Sequence, residues 1–161
     1  MEHLEDNRQK VPEIFSWLLV LLFAYTAVNK FLDYEGTKAA LYNQVFPIWM
    51  ADILLIAVPG AELLLALMLC IPAYRKWGFL GSIILMGAFT GYVGLVITGL
   101  FDRIPCSCGG VLQAMSWPQH LLFNLFFLGI SFIGYLIERN ALARAQMGLF
   151  KAKNTKGPNG P

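Results

Sequence analysis

Cys106 and Cys108 stand one residue apart in the run Cys106-Ser107-Cys108-Gly109-Gly110, in the loop between the last two of four apolar segments. A close thiol pair gives up or takes two electrons by closing or opening one bond, so thiol–disulfide chemistry is the first this chain suggests. A disulfide needs Cα atoms about 4.4–6.8 Å apart and side chains that converge. Residues two apart meet that distance only marginally, and in extended chain their side chains diverge. The pair can close only across a sharp bend, which Pro105 before it and Gly109-Gly110 after it permit. Such a bond is strained, hence easily reduced and a capable oxidant. Two plainer readings stay open, a loop with free thiols and half of a metal site. A structural zinc site wants four Cys or His ligands and only His120 is near, so no metal is expected. Cys70 reads as a small buried apolar residue.

A second group of residues puts charge inside apolar sequence. Glu62 follows Pro59 by three positions, about 14 Å below the expected start of its span at Ile53. A lone charge at such depth costs roughly 2.5–3.5 kcal/mol on insertion scales. It must face the interior and find a partner, or stay protonated. Lys30, Asn29, Thr26 and Tyr25 are the candidate partners in the first span, with Tyr92 and Thr90 in the third. Pro59 leaves a carbonyl on the preceding turn unpaired and opens the helix there. His120 and Asn124 follow the thiols at i and i+4, one face of a helix. His120 is a candidate base or hydrogen-bond donor, or an interfacial histidine wetted by headgroups. The buried cluster can serve a proton or quinone site, or act as a structural clasp.

These residues need a bilayer around them. Of 161 residues 57% are hydrophobic and 14% charged, too little polar surface for a soluble domain and no basic patch for nucleic acid. Four segments suit spans: Ile14–Phe31, Ile53–Ile71, Trp77–Leu100 and Pro118–Ile137. Each approaches the ~20 apolar residues that cross roughly 30 Å of hydrocarbon, and helices alone satisfy their backbone there. The expectation is an all-α, four-transmembrane-helix bundle contacting membrane lipid, with no cleaved signal segment. Pro12 suits a helix start. Leu32–Asp52 carries Leu41, Tyr42, Val45, Phe46, Ile48 and Trp49 among polar residues, so a short interfacial helix between Thr37 and Trp49 is expected to roof the bundle. Ser116-Trp117-Pro118-Gln119 fits a capping box opening the fourth span. Gly87, Gly91 and Gly94 with Thr98 form a narrow face, expected to pack against a neighbouring helix of the same chain. Residues 1–12 and 139–161 read as polar and basic tails flanking a membrane domain of 13–138, with Lys151–Pro161 flexible.

Charge sets the expected orientation. Arg8, Lys10, Arg75, Lys76, Arg139, Arg144, Lys151, Lys153 and Lys156 fall on one face, and only Lys30, Lys38 and Arg103 on the other. Basic residues gather on the cytoplasmic side, so both termini are expected there, with the thiols outside, where disulfides persist.

Several stretches together resemble the MauE-type branch of the DoxX-like membrane proteins, over most of residues 13–138. They are Tyr25-Thr26-Ala27…Lys30-Phe31, Pro59-x-x-Glu62-Leu63, Cys106-x-Cys108-x-Gly110 and Trp117…Asn124. At Gly109 the chain departs from an aromatic in the family's motif, a difference that bears on substrate more than on fold. The resemblance implies a four-helix bundle in a bacterial inner membrane and a thiol–disulfide or quinone-linked role beside a periplasmic thioredoxin-like or disulfide-bearing partner. On that reading Cys106 and Cys108 carry the exchange. His120, Glu62, Lys30, Tyr25 and Asn124 are the candidate contacts of a quinone or of its protons, with no other cofactor required. The alternative is a non-catalytic subunit or assembly factor of a larger envelope complex, the two cysteines forming a static staple.

Overall fold

The computed structural model describes residues 2–44, 47–99 and 115–155. Within them the chain forms five helices: α1 Glu2–Leu32, α2 Tyr34–Tyr42, α3 Ile48–Cys70, α4 Arg75–Ile97 and α5 Trp117–Thr155. Four are long and apolar enough to cross a membrane, over Lys10–Leu32, Ile48–Cys70, Arg75–Ile97 and Trp117–Arg144. The protein is an all-α, multi-pass bundle. Consecutive spans run antiparallel and close a ring in the order α1, α3, α4, α5, each packed on the next. One end, the loop end, carries α2, the end of α4 and the start of α5. The other, the terminal end, carries the start of α1 and the turn from α3 to α4.

Element boundaries differ from the sequence reading where proline acts. Pro12 lies inside α1, and the strong helix formers Glu, Arg, Gln and Lys carry the helix back to Glu2. Pro47 divides the segment between the first two spans instead. With φ −63° and ψ 149° it caps α3, so Ile48 and Trp49 open that span and the roof helix is only Tyr34–Tyr42. Asp33 caps α2 by accepting from the Gly36 N–H at 3.1 Å. At the far end α5 runs without a break to Thr155, so residues 151–155, expected to be flexible, are helical.

The core lies in the terminal half. Leu19, Phe23, Leu65, Ala66, Leu69, Phe79, Met86 and Ile130 form its buried cluster. Backbones come close there at glycines. A Cβ on Gly134 would strike the Phe79 ring, and one on Gly78 would stand 2.9 Å from Leu69 Cγ. Ser16 Oγ donates to the Leu69 carbonyl at 2.7 Å, satisfying an acceptor that the end of α3 leaves without an intrahelical partner. Arg75 and Glu138 join α4 to α5 at 3.3 Å. The stripe Gly87, Gly91, Gly94 does not pack as expected: a Cβ on any of them meets nothing within 4 Å among the described residues. The spacing was right for close approach, but α4 presents Gly78 and Gly81 to α3, and α5 brings its own Gly134 to Phe79. Cys70 is also corrected. It is exposed, because it is the last residue of α3 beside the turn.

Candidate functional site

The loop half of the bundle is hollow. A cavity of about 300 Å³ lies under α2 and between all four spans. Its walls are mostly apolar, and its polar groups come from separate elements: Lys30 and Thr26 on α1, Thr37 and Gln44 on α2, Glu62 on α3, Tyr92 on α4, His120 and Asn124 on α5.

Lys30 and Glu62 form one side of the site. Lys30 Nζ donates to both carboxylate oxygens of Glu62, at 2.8 and 3.0 Å, and to the Thr26 carbonyl at 3.4 Å. Helix geometry explains how residues at different heights meet. Side chains tilt towards the amino terminus of their own helix, and α1 and α3 run in opposite directions. Lys30, two residues from the end of α1, therefore leans down into the bundle, while Glu62 leans up towards it. Because α3 begins at Ile48 rather than Ile53, Glu62 is fourteen residues along it, about 21 Å and deeper than the sequence suggested. Side-chain exposure is 12% for Lys30 and 2% for Glu62, so neither charge has an alternative in water. Pro59 one turn earlier is fully buried.

His120 and Asn124 form the opposite wall. The main-chain N–H of Ser116 donates to Gln119 Oε1 at 2.9 Å, the returning half of the expected capping box, and the His120 N–H donates to the Ser116 carbonyl at 2.9 Å. The first turn of α5 thus starts cleanly and fixes His120 and Asn124, one turn apart, on its inner face. Both are buried, at 7% and 3% exposure. Among the described residues His120 Nδ1 and Asn124 Nδ2 have no hydrogen-bond partner, and neither does Thr37 Oγ1 above them. Buried polar atoms are nearly always paired, so three orphans on one cavity are the site's most informative feature.

The roof is tied down twice. The Tyr92 hydroxyl donates to Gln44 Oε1, joining α4 to the end of α2, and the Tyr42 hydroxyl donates to Asp52 Oδ1 at 2.5 Å, joining α2 to α3. Asp52 holds the Tyr42 hydroxyl above its usual 10.0, first through that hydrogen bond.

Four of the sequence-predicted contacts, Lys30, Glu62, His120 and Asn124, therefore line one cavity. Tyr25 does not line it. Its side chain is 47% exposed on the outer face of α1, and its carbonyl accepts from Asn29 Nδ2 at 2.9 Å. Thr37 was not singled out by its side chain. Its signal lay in the helical spacing Thr37, Ala40, Leu41, Gln44, one face of the roof. Cys106 and Cys108 lie outside the described residues.

With this geometry in place, the chain can be compared with known proteins. Residues 8–137 match the family described as methylamine utilisation protein MauE. The chain belongs to the MauE family. No curated protein and no solved structure matches it. The matched range takes in the first three spans and the fourth as far as Ile137, with the roof, the cavity residues and the segment that carries Cys106 and Cys108, so the family likeness covers the cavity and not the helices alone.

Proposed function

We propose that this MauE-family protein is a thiol–disulfide redox protein of the bacterial inner membrane, exchanging through Cys106 and Cys108 with a periplasmic thioredoxin-like partner. A partner thiolate attacks one sulfur of the Cys106–Cys108 bond and forms a mixed disulfide. The partner's second thiol then releases it. Two electrons and two protons pass from the partner dithiol to Cys106 and Cys108, and the reverse reaction has the same balance. A second carrier of two electrons must reset the pair.

The supporting observation is where the thiols are tethered. Cys108 is eight residues from Ser116, so it cannot stand farther than about 28 Å from the start of α5. Crossing to the terminal end would take about 33 Å along α4 alone, more than that tether allows, which supports reading the thiols on the loop side of the bundle. The distribution of basic residues argues that this end faces the periplasm.

Trapping tests the reading. Cys106→Ser or Cys108→Ser should accumulate a mixed disulfide with a thioredoxin-like protein, removed by dithiothreitol and visible by non-reducing electrophoresis and mass spectrometry. No adduct from either variant, with normal membrane assembly, would replace this reading with the assembly-factor one.

A further inference from the structure

Three buried polar atoms on residues that line one apolar cavity, His120 Nδ1, Asn124 Nδ2 and Thr37 Oγ1, have no partner among the described residues. Each is held by a different turn or element, and burying them unpaired in the absence of a ligand works against folding. An arrangement that keeps them must gain from an occupant able to accept hydrogen bonds. The charges present restrict what that occupant is. Lys30 is already neutralised by Glu62, so the cavity has no uncompensated charge to offer an ion. Phe23, Phe89 and Phe123 line it, which suits a flat ring. The way in is from lipid: Ala88, in the middle of α4, both lines the cavity and is exposed on the outer face of the bundle. A volume of about 300 Å³ falls at the small end of ligand sites, enough for a substituted six-membered ring but not for its whole tail.

We infer that this cavity binds the head of a lipid-soluble quinone, with His120, Asn124 and Thr37 as the hydrogen-bonding contacts of its carbonyl oxygens. The tail leaves towards lipid past Ala88. The inference rests on the redox reading for the use of the ligand and on the cavity for its place. Oxidation of the Cys106 and Cys108 thiols to a disulfide releases two electrons and two protons, and reduction of one quinone to a quinol takes up the same number.

The test uses the full-length protein in lipid nanodiscs with decyl-ubiquinone as the probe. Trp117 lines the cavity, so binding should quench tryptophan fluorescence, and Trp117→Phe should remove most of that quench. The double variant His120→Phe/Asn124→Leu should raise the Kd by about tenfold or more, since each lost hydrogen bond is worth up to that factor. Its melting temperature without ligand should equal or exceed that of the wild type, an outcome that a purely structural role for these side chains would reverse. Absence of saturable quenching in the wild type, an unchanged Kd in the double variant, or equal competition by decylbenzene would overturn the site, the last by showing a plain hydrocarbon slot. Cys106→Ser/Cys108→Ser should bind the quinone unchanged. Quinone binding without any trapped adduct would sink the exchange reading and leave the site standing, and adducts without quinone binding would do the opposite.

Discussion

The terminal and loop halves of this bundle use the same four helices and differ in what fills the space between them. In the terminal half, Gly134 admits the Phe79 ring, Gly78 admits Leu69, the buried Ser16, Ser82 and Ser131 hydroxyls each donate to a backbone carbonyl, and Arg75, whose Nε lacks a partner among the described residues, is held through Nη1 by Glu138. In the loop half, the inner face is hollow, its polar atoms include three without partners, and two charges are held by each other. Close packing with buried polar groups hydrogen-bonded or held in ion pairs is how a membrane bundle is made stable. A cavity with orphaned donors is how it is made ready for a ligand. The difference makes one half the scaffold and the other the candidate site.

The largest effect that would sharpen this contrast comes from the ion pair. Lys30→Met leaves Glu62 buried and unpaired, which should cost about 3–5 kcal/mol. Lys30→Met/Glu62→Leu should recover most of that loss, read as melting temperature in nanodiscs. If the single variant is as stable as the wild type, the pair is not the closed clasp drawn here.

Next in size is the packing of glycines. Gly134→Ala drives a methyl group into the Phe79 ring and should cost about 1–3 kcal/mol. Gly87→Ala meets open space and should be neutral or stabilising, by up to about 1 kcal/mol through helix propensity. Equal losses at both positions would erase the distinction between halves. A smaller gain is expected from the site itself: His120→Phe or Asn124→Leu removes an unsatisfied buried atom and should raise ligand-free stability by about 1 kcal/mol. A loss of that size would mean the side chain has a structural partner.

The smallest effect concerns the roof. Asp52 raises the Tyr42 pKa first by hydrogen bonding, then through burial and charge. A folded value above the unfolded 10.0 means that the bond's contribution is whole below pH 10 and fades as pH rises through the folded value. Ultraviolet titration should find one tyrosine ionising late, and Asp52→Asn should return it towards the ordinary range. No change on that substitution would free the roof from α3.

Much of the scaffold could be read from the chain because hydropathy alone marks a span, whatever its neighbours. The Lys30–Glu62 pair was also legible, since a charge in lipid has few places to go and Lys30 was among the few candidates near enough. His120 and Asn124 carried the i, i+4 signature of a shared face. What escaped depended on which helix meets which. The spacing of Gly87, Gly91 and Gly94 says that a close approach is possible, not that a neighbour uses it. Thr37 joins the candidate site because α2 lies across the top of the cavity, with Pro47 starting α3 beneath it. Both are properties of assembly, which periodicity along one helix does not encode.

The most direct test of the link between cavity and thiols counts reactive sulfurs. Fully reduced protein has three cysteines open to alkylation after denaturation. Decyl-ubiquinone added before quenching should leave one, Cys70, in the wild type and all three in His120→Phe/Asn124→Leu. Three alkylated cysteines in a wild type that demonstrably binds the quinone would contradict the coupling.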